Sequence, residues 1–267
     1  MRVSDALGRE HEFAAPPRRI VSLVPSWTET LFALGAGDRV VGVTEFCVHP
    51  AAQLAALPRV GGTKNPDRRA IAALAPDLVL ANQEENRQRD VERLLAAGLR
   101  VFVTYARSVS GAVAELRTLG RITGHDAEGE ALAGEVERRL AALAAQARLP
   151  RPRVVALVWR EPLMAVGGDT FASDLIACAG GDNPFAADGR GRYPRIDERE
   201  PVLAAPDVLL LPPEPYAFGD AERREYLGLP CPAARSGRVH VLEGELLSWY
   251  GPRMPRALDT LARLFAG

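Results

Sequence analysis

The stretch VTEFCVHP, residues 43–50, sets Cys47 and His49 two positions apart and ends against Pro50. A thiol and an imidazole so close together suit a metal site, an activated nucleophile, or no chemistry at all. A zinc site takes about four ligands. The other histidines, His11, His125 and His240, lie in separate segments, as do Cys178 and Cys231, and no HExxH or CxxC pair occurs. A metal site built by the protein alone is therefore not expected, and no intrinsic cofactor is. Nor is a catalytic Cys47–His49 pair: residues two apart on an extended segment share a side without stacking, and no third orienting group is evident. The glycine-bearing runs GAGD (35–38) and GGDT (167–170) lack the dinucleotide fingerprint. No serine sits in a nucleophile elbow, and there is no phosphate-cradling P-loop. The chain reads as a non-enzyme.

The elements that must position this stretch come next. With 267 residues the chain can hold two domains or one large α/β unit. Its 33 basic and 34 acidic residues give a net charge of −1, too balanced for nucleic acid. Three cysteines, odd in number and far apart, argue against a disulfide framework. The opening MRVSDALGREHEF has no apolar run and no small-residue cleavage site, so no leader is expected in the chain as it stands. Both a mature extracytoplasmic protein and a cytoplasmic one fit that reading. No run of about 18 apolar residues predicts a membrane span.

Strands alternate with helices. RIVSLV (19–24), RVVGVT (39–44), DLVLA (77–81) and RVFVTY (100–105) read as buried parallel strands. Between them fall a helix over TETLFALGAG closed by Gly35 and Gly37, a short one at 67–74, and one over 85–97. The Ala/Leu/Glu/Arg-rich region predicts helices at 109–122 and 126–148, broken at Gly124. Beyond PRPR (150–153) the pattern restarts. RVVALV (153–158) echoes RIVSLV, LIACAGG (175–181) echoes LFALGAG (31–37), and APDVLLLPPEP (205–215) echoes APDLVLANQEE (75–85). Alternating α/β chains reuse such runs anyway, but three matches in order at near-equal spacing favour duplication. The expectation is an α/β fold of two similar lobes with mainly parallel sheets: lobe 1–124, connecting helix 125–150, lobe 151–267. A single chain of this kind is expected to be monomeric.

Open α/β sheets take ligands beyond the carboxyl ends of their strands, so a cleft between the lobes is expected to be lined by strand-end residues. These include Ser26 and Trp27, Thr44 to His49, Gln83 to Asn86, Trp159 and Arg160, and Trp249 and Tyr250. All three tryptophans lie in this set, which favours a flat or ring-bearing ligand; each is equally well read as core or helix staple.

RIVSLVPSWTETLFALGAGDRVVGVTEFCVHP, VGGTKNP, APDLVLANQEENRQRDVERL, GGDTFASDLIACAGGDNPF and APDVLLLPPEP together resemble the helical-backbone substrate-binding proteins of ABC importers. Within them the chain is most similar to the cobalamin and ferric-siderophore branch, over residues 3–265. The resemblance implies capture, without chemistry, of a small-molecule metal chelate such as a corrinoid, haem or ferric siderophore. Trp27, Trp249 and Tyr250 would then cover the ring, with Ser26, Trp159 and Tyr193 beside it. Arg160, Arg192, Glu85 and Asn86 would answer polar edges. His49 stands where the cobalamin binders carry an aromatic residue, and the loop NQEEN is polar where theirs is aromatic. His49 is read either as an axial ligand to a metal that the ligand brings or as a loop histidine bonded to backbone. The family docks on its permease through one glutamate per lobe; Glu84 or Glu85, and Glu214 or Glu222, are the candidates, and Gln88 departs from the pattern. A transporter-independent binding or sensory protein of the same fold is the alternative.

Overall fold

The computed structural model describes residues 1–146, 149–187 and 189–267. The chain forms two compact units, Met1–Ala106 with Gly111–Gly134 and Tyr250–Pro252, and Arg107–Ser110 with Glu135–Trp249 and Arg253–Gly267.

In the first unit a hairpin of β1 (Arg2–Ser4) and β2 (Glu10–Glu12) precedes the sheet strands. These are β3 (Ile20–Ser22), β4 (Val40–Val43), β7 (Leu78–Asn82) and β8 (Val101–Thr104), with α1 (Pro25–Ala33) between β3 and β4. The segment from β4 to β7 carries α2 (Ala51–Leu54), the two-residue strands β5 (Gly61–Gly62) and β6 (Asn65–Pro66), and α3 (Arg68–Ala73). α4 (Gln88–Ala96) joins β7 to β8. The sheet is wholly parallel in the order β4-β3-β7-β8. Its strands are apolar almost throughout because helices cover both faces; on one face Ile71, Val91 and Leu94 pack with Val21, Leu23, Val79, Val101 and Val103.

Pro25 opens α1, where its missing N–H costs nothing, and Gly35 at φ +86° ends the turn after it, as the sequence predicts. The β1–β2 hairpin escapes the sequence reading because its strands are three residues long and polar. Asp5 organises it by accepting from the backbone N–H groups of Leu7 and Arg9 and from the Arg9 guanidinium. Ala6 N–H then donates to Val103 O at 2.8 Å, so the hairpin shields the outer edge of β8.

α5 (Val109–Thr123) and α6 (Asp126–Ala145) are separated at Gly124, φ +69°. They approach so closely at Gly120 and Gly129 that a Cβ on Gly120 would stand 3.0 Å from the Gly129 Cα. The first half of α6, to Gly134, counts to the first unit and the rest to the second. The predicted end of this helix, residues 147 and 148, lies outside the described residues. No helix among the described residues is long and apolar enough to cross a membrane.

The second unit holds β9 (Val154–Trp159), β10 (Met164–Ala165), α7 (Phe171–Cys178), α8 (Glu200–Leu203) and β11 (Val208–Leu211). It continues with α9 (Asp220–Leu227), α10 (Pro232–Arg235), β12 (Val239–Val241) and α11 (Met254–Ala266). Its sheet runs β10-β9-β11-β12, parallel apart from β10.

The duplication is visible in atomic detail. Asp77 accepts the Arg19 N–H at 3.0 Å and returns its own N–H to Arg19 O at 2.8 Å, while the Arg19 guanidinium caps Leu74 O. Asp207 exchanges the same two bonds with Arg153, whose guanidinium caps Ala204 O at 2.9 Å. The alanine of each APD triplet even holds the same left-handed backbone, Ala75 at φ +42° and Ala205 at +44°. One device, a strand-entry arginine clamping the preceding helix end, serves both lobes.

Candidate functional site

In the first unit the strand ends are tied by a buried polar network. Thr104, the last residue of β8, donates to Ala81 O and accepts from the Trp27 indole N–H at 2.9 Å and from Asn82 Nδ2 at 3.0 Å. Asn82 Oδ1 accepts the Glu84 N–H at 2.8 Å, and Asn86 answers the Asn82 N–H at 2.8 Å while donating to Leu23 O and Thr63 O. Apart from the two side-chain bonds that converge on Thr104 Oγ1, from Trp27 and Asn82, these hydrogen bonds end on backbone groups, which makes the polar loop after β7 a rigid shelf.

This network corrects the expected roles of several residues. Trp27 is fully buried, held by Thr104 beneath and by the Tyr250 ring stacked at 5.3 Å and 27°. Tyr250, Ser26 and Asn86 are buried too. Within this unit they build the floor of the strand ends and offer no open face to a ring. The physical reason is the tight turn from β3 straight into α1, which drives residues 26 and 27 inward. Glu84 and Glu85 stay partly exposed on the shelf, and Lys64 Nζ reaches the Glu84 carbonyl.

The loop after β4 behaves differently. Cys47 is buried, its Sγ 3.1 Å from both Thr28 Oγ1 and Thr44 Oγ1, and its carbonyl accepts from Arg59 at 2.7 Å. Burial pushes the thiol pKa up against the opposing pull of those hydroxyls, so it stays protonated at neutral pH and is no nucleophile. Because Cys47 points inward, its neighbours point out. Phe46 is 58% exposed and Val48 48% exposed, with His49 partly exposed beside them. Phe46 falls within the expected strand-end run Thr44 to His49, where the sequence reading gave it no role of its own. The inward preference of the small apolar Cys47 within an extended run was the signal that could have found it.

In the second unit β9 ends in Trp159, 39% exposed, with its indole N–H on Glu161 O at 3.0 Å. Tyr216 meets its edge at 5.9 Å and packs in turn on Phe218 at 4.6 Å. Arg160 turns to Glu225 at 2.7 Å and Glu222 at 3.7 Å. Glu222 also caps α9: its carboxylate accepts its own backbone N–H and that of Gly219, which holds it below the usual range, so it serves the fold. Glu214 reaches the surface, while partial burial and the Glu245 charge raise its pKa. Tyr193 is exposed and Arg192 lies over its ring at 5.5 Å. Trp249 is buried beneath the Arg253 guanidinium at 4.9 Å, which corrects its expected role as an open face. Among the described residues no group of three or more His, Cys, Asp or Glu side chains is placed to hold a metal ion.

One titratable group beside the first unit's strand ends has a pH consequence. Glu115 on α5 accepts the Tyr105 N–H at 2.6 Å with one oxygen, and its other oxygen is buried without a partner. Burial raises its pKa from 4.5 to about 7, the Tyr105 bond opposing. Between those values the native state keeps a proton that the unfolded chain has lost, so stability falls as pH rises through this window and is level above it. Glu115→Gln, neutral throughout, is expected to match the parent below pH 4.5 and to exceed it by about 1–2 kcal/mol at pH 8. Urea midpoints at pH 4 and pH 8 measure this.

A family model described as periplasmic binding protein matches residues 20–243. The vitamin B12-binding protein of Photorhabdus laumondii is 27% identical over 202 residues, 75% of this chain and 73% of that protein. A cobalamin-binding protein of Halobacterium salinarum is 36% identical over 201 residues, 73% of this chain; these span 53% of its length, about half of that relative. Among solved structures, the periplasmic heme-binding protein of Roseiflexus sp. RS-1, in apo form, matches with a TM-score of 0.79 and 29% identity over 93% of this chain and 97% of that one.

Proposed function

The chain belongs to the periplasmic binding protein family, and from that premise we propose that it captures a metal-chelating ring or chelate for an ABC-type importer. The ligand class is a corrinoid, a haem or a ferric siderophore, and the partner is the importer's permease. The relatives described above are binding proteins, two of cobalamin or vitamin B12 and one of heme, and none is an enzyme by name.

The observation that carries the proposal is the exposed tip Phe46–Val48, anchored from below by Cys47. The fold gains little from an aromatic ring left 58% exposed on a tethered loop. Such a ring at a strand carboxyl end suits the apolar face of a macrocycle. Trp159, edge-on to Tyr216, supplies a similar surface in the second unit. Glu85, Arg160 and Tyr193 are the polar groups in reach of a ligand's edges on their own units. Glu84 and Glu214 remain the proposed docking glutamates.

Titrating the protein with haemin, cyanocobalamin and ferric chelates, followed by absorbance, tests this. Saturable binding of at least one at micromolar concentration or below is the expected result; none binding at that concentration would sink the reading. His49→Ala decides the role of the imidazole. Altered metal-centred bands mark an axial ligand, and unchanged bands mark a histidine that bonds only within its loop.

A further inference from the structure

We propose that Arg107 and Arg192 form a carboxylate-binding subsite in the second unit, occupied in the free protein by Asp169, and that the captured ligand therefore carries an anionic carboxylate arm. This deepens the ring-capture reading and rests on it.

Arg107 Nη1 lies 2.9 and 2.7 Å from the two carboxylate oxygens of Asp169. Arg192 Nε donates to the Asp169 carbonyl at 2.8 Å, which fixes the guanidinium beside the same loop. Gly167 N–H donates to Arg192 O at 2.8 Å; a Cβ on Gly167 would collide with Gly191 O and one on Gly168 with Ala186 O. The second arginine is thus positioned by backbone.

Asp169 itself is poorly explained by stability. It holds a left-handed backbone, φ +55°, which asparagine and aspartate tolerate better than other residues with a Cβ but which glycine would fill at no cost. Its ion pair with Arg107 is about half exposed at both ends, 57% and 51%, and such pairs contribute little. An acidic residue held only by a weak, half-exposed pair is easily displaced by a stronger carboxylate partner. A planar carboxylate arriving on a ligand could replace it and meet two guanidinium groups, the geometry that arginine recognises best. Tyr193, stacked near Arg192, would border the arm. Asp174, the nearby carboxylate of α7, is turned away to accept the Val109 N–H at 2.7 Å. The GGDT run, which has no place in nucleotide binding, acquires a role here as the loop that presents Asp169.

The test compares haemin with its dimethyl ester, the same ring and iron without the two carboxylates, on the full chain at low and moderate salt. Haemin is expected to bind at least tenfold tighter than the ester, the gap narrowing as salt rises. The double variant Arg107→Ala with Arg192→Ala should weaken haemin to the level of the ester and leave the ester unchanged. Asp169→Gly, which removes the occupant and relieves the backbone, should tighten haemin alone. If the alanine variant does not fold, Arg107→Lys with Arg192→Lys keeps both charges and is expected to narrow the preference. Equal binding of both forms by the native chain, or parallel loss of both in the variants, would overturn the subsite while leaving ring capture intact. If neither form binds, the haem reading and the subsite fall together.

Discussion

Trp27→Ala is expected to lower stability by about 3–5 kcal/mol, the range for deleting a large buried aromatic side chain. Three losses coincide. The indole is fully buried, so its removal leaves a cavity at the end of the first sheet. Its N–H is one of two donors to Thr104 Oγ1, the hub that also fixes Asn82 and the carbonyl of Ala81. Its face supports Tyr250. Trp27→Phe keeps most of the volume and leaves Asn82 on Thr104, so a loss of about 1–2 kcal/mol is expected. Urea unfolding with an unchanged m-value measures both. The informative comparison is binding: because Trp27 has no exposed face, the Phe variant should bind haemin as the parent does. A Phe variant of near-parental stability that loses the ligand would restore Trp27 as a ring-covering residue.

The distance between Trp27 and Phe46 shows what could be read from residue order. The parallel strands, the break at Gly124 and the repeat were legible because apolar periodicity and paired APD triplets are one-dimensional signals. The short polar hairpin at the N-terminus was not, since its stability comes from Asp5 and from contact with β8, which the local pattern does not record. The positions of the strand-end loops were legible from the strand pattern. Which side chains on them face out was not legible. The tight β3–α1 turn buries Trp27 and Ser26, and the bonds of Asn82 and Asn86 turn a polar loop inward upon itself. Counting tryptophans therefore overrated the buried ones. The Cys–His spacing drew attention to a loop in which the thiol is an anchor and its neighbour Phe46 carries the exposed surface.

Phe46→Ala should leave stability within about 0.5 kcal/mol, as expected for an exposed side chain on a loop anchored elsewhere. Its effect should fall on affinity. An aromatic ring that becomes covered by a macrocycle behaves as an interface hot spot, worth about 2 kcal/mol or more, so the dissociation constant for a ring ligand should rise roughly thirtyfold. Val48→Ala removes less area and should cost only a few-fold. Phe46→Tyr preserves the face and should bind nearly as well, which separates loss of a surface from disturbance of the loop. The loop itself is expected to hold in all three variants, since Cys47 keeps Thr28 and Thr44 and Arg59 keeps the Cys47 carbonyl. A ferric siderophore without an extended flat face should respond weakly to Phe46→Ala, and a corrinoid or haem strongly. The size of that response therefore sorts the ligand class as well as testing the site, and unchanged affinity for every ligand that binds would remove Phe46 from it.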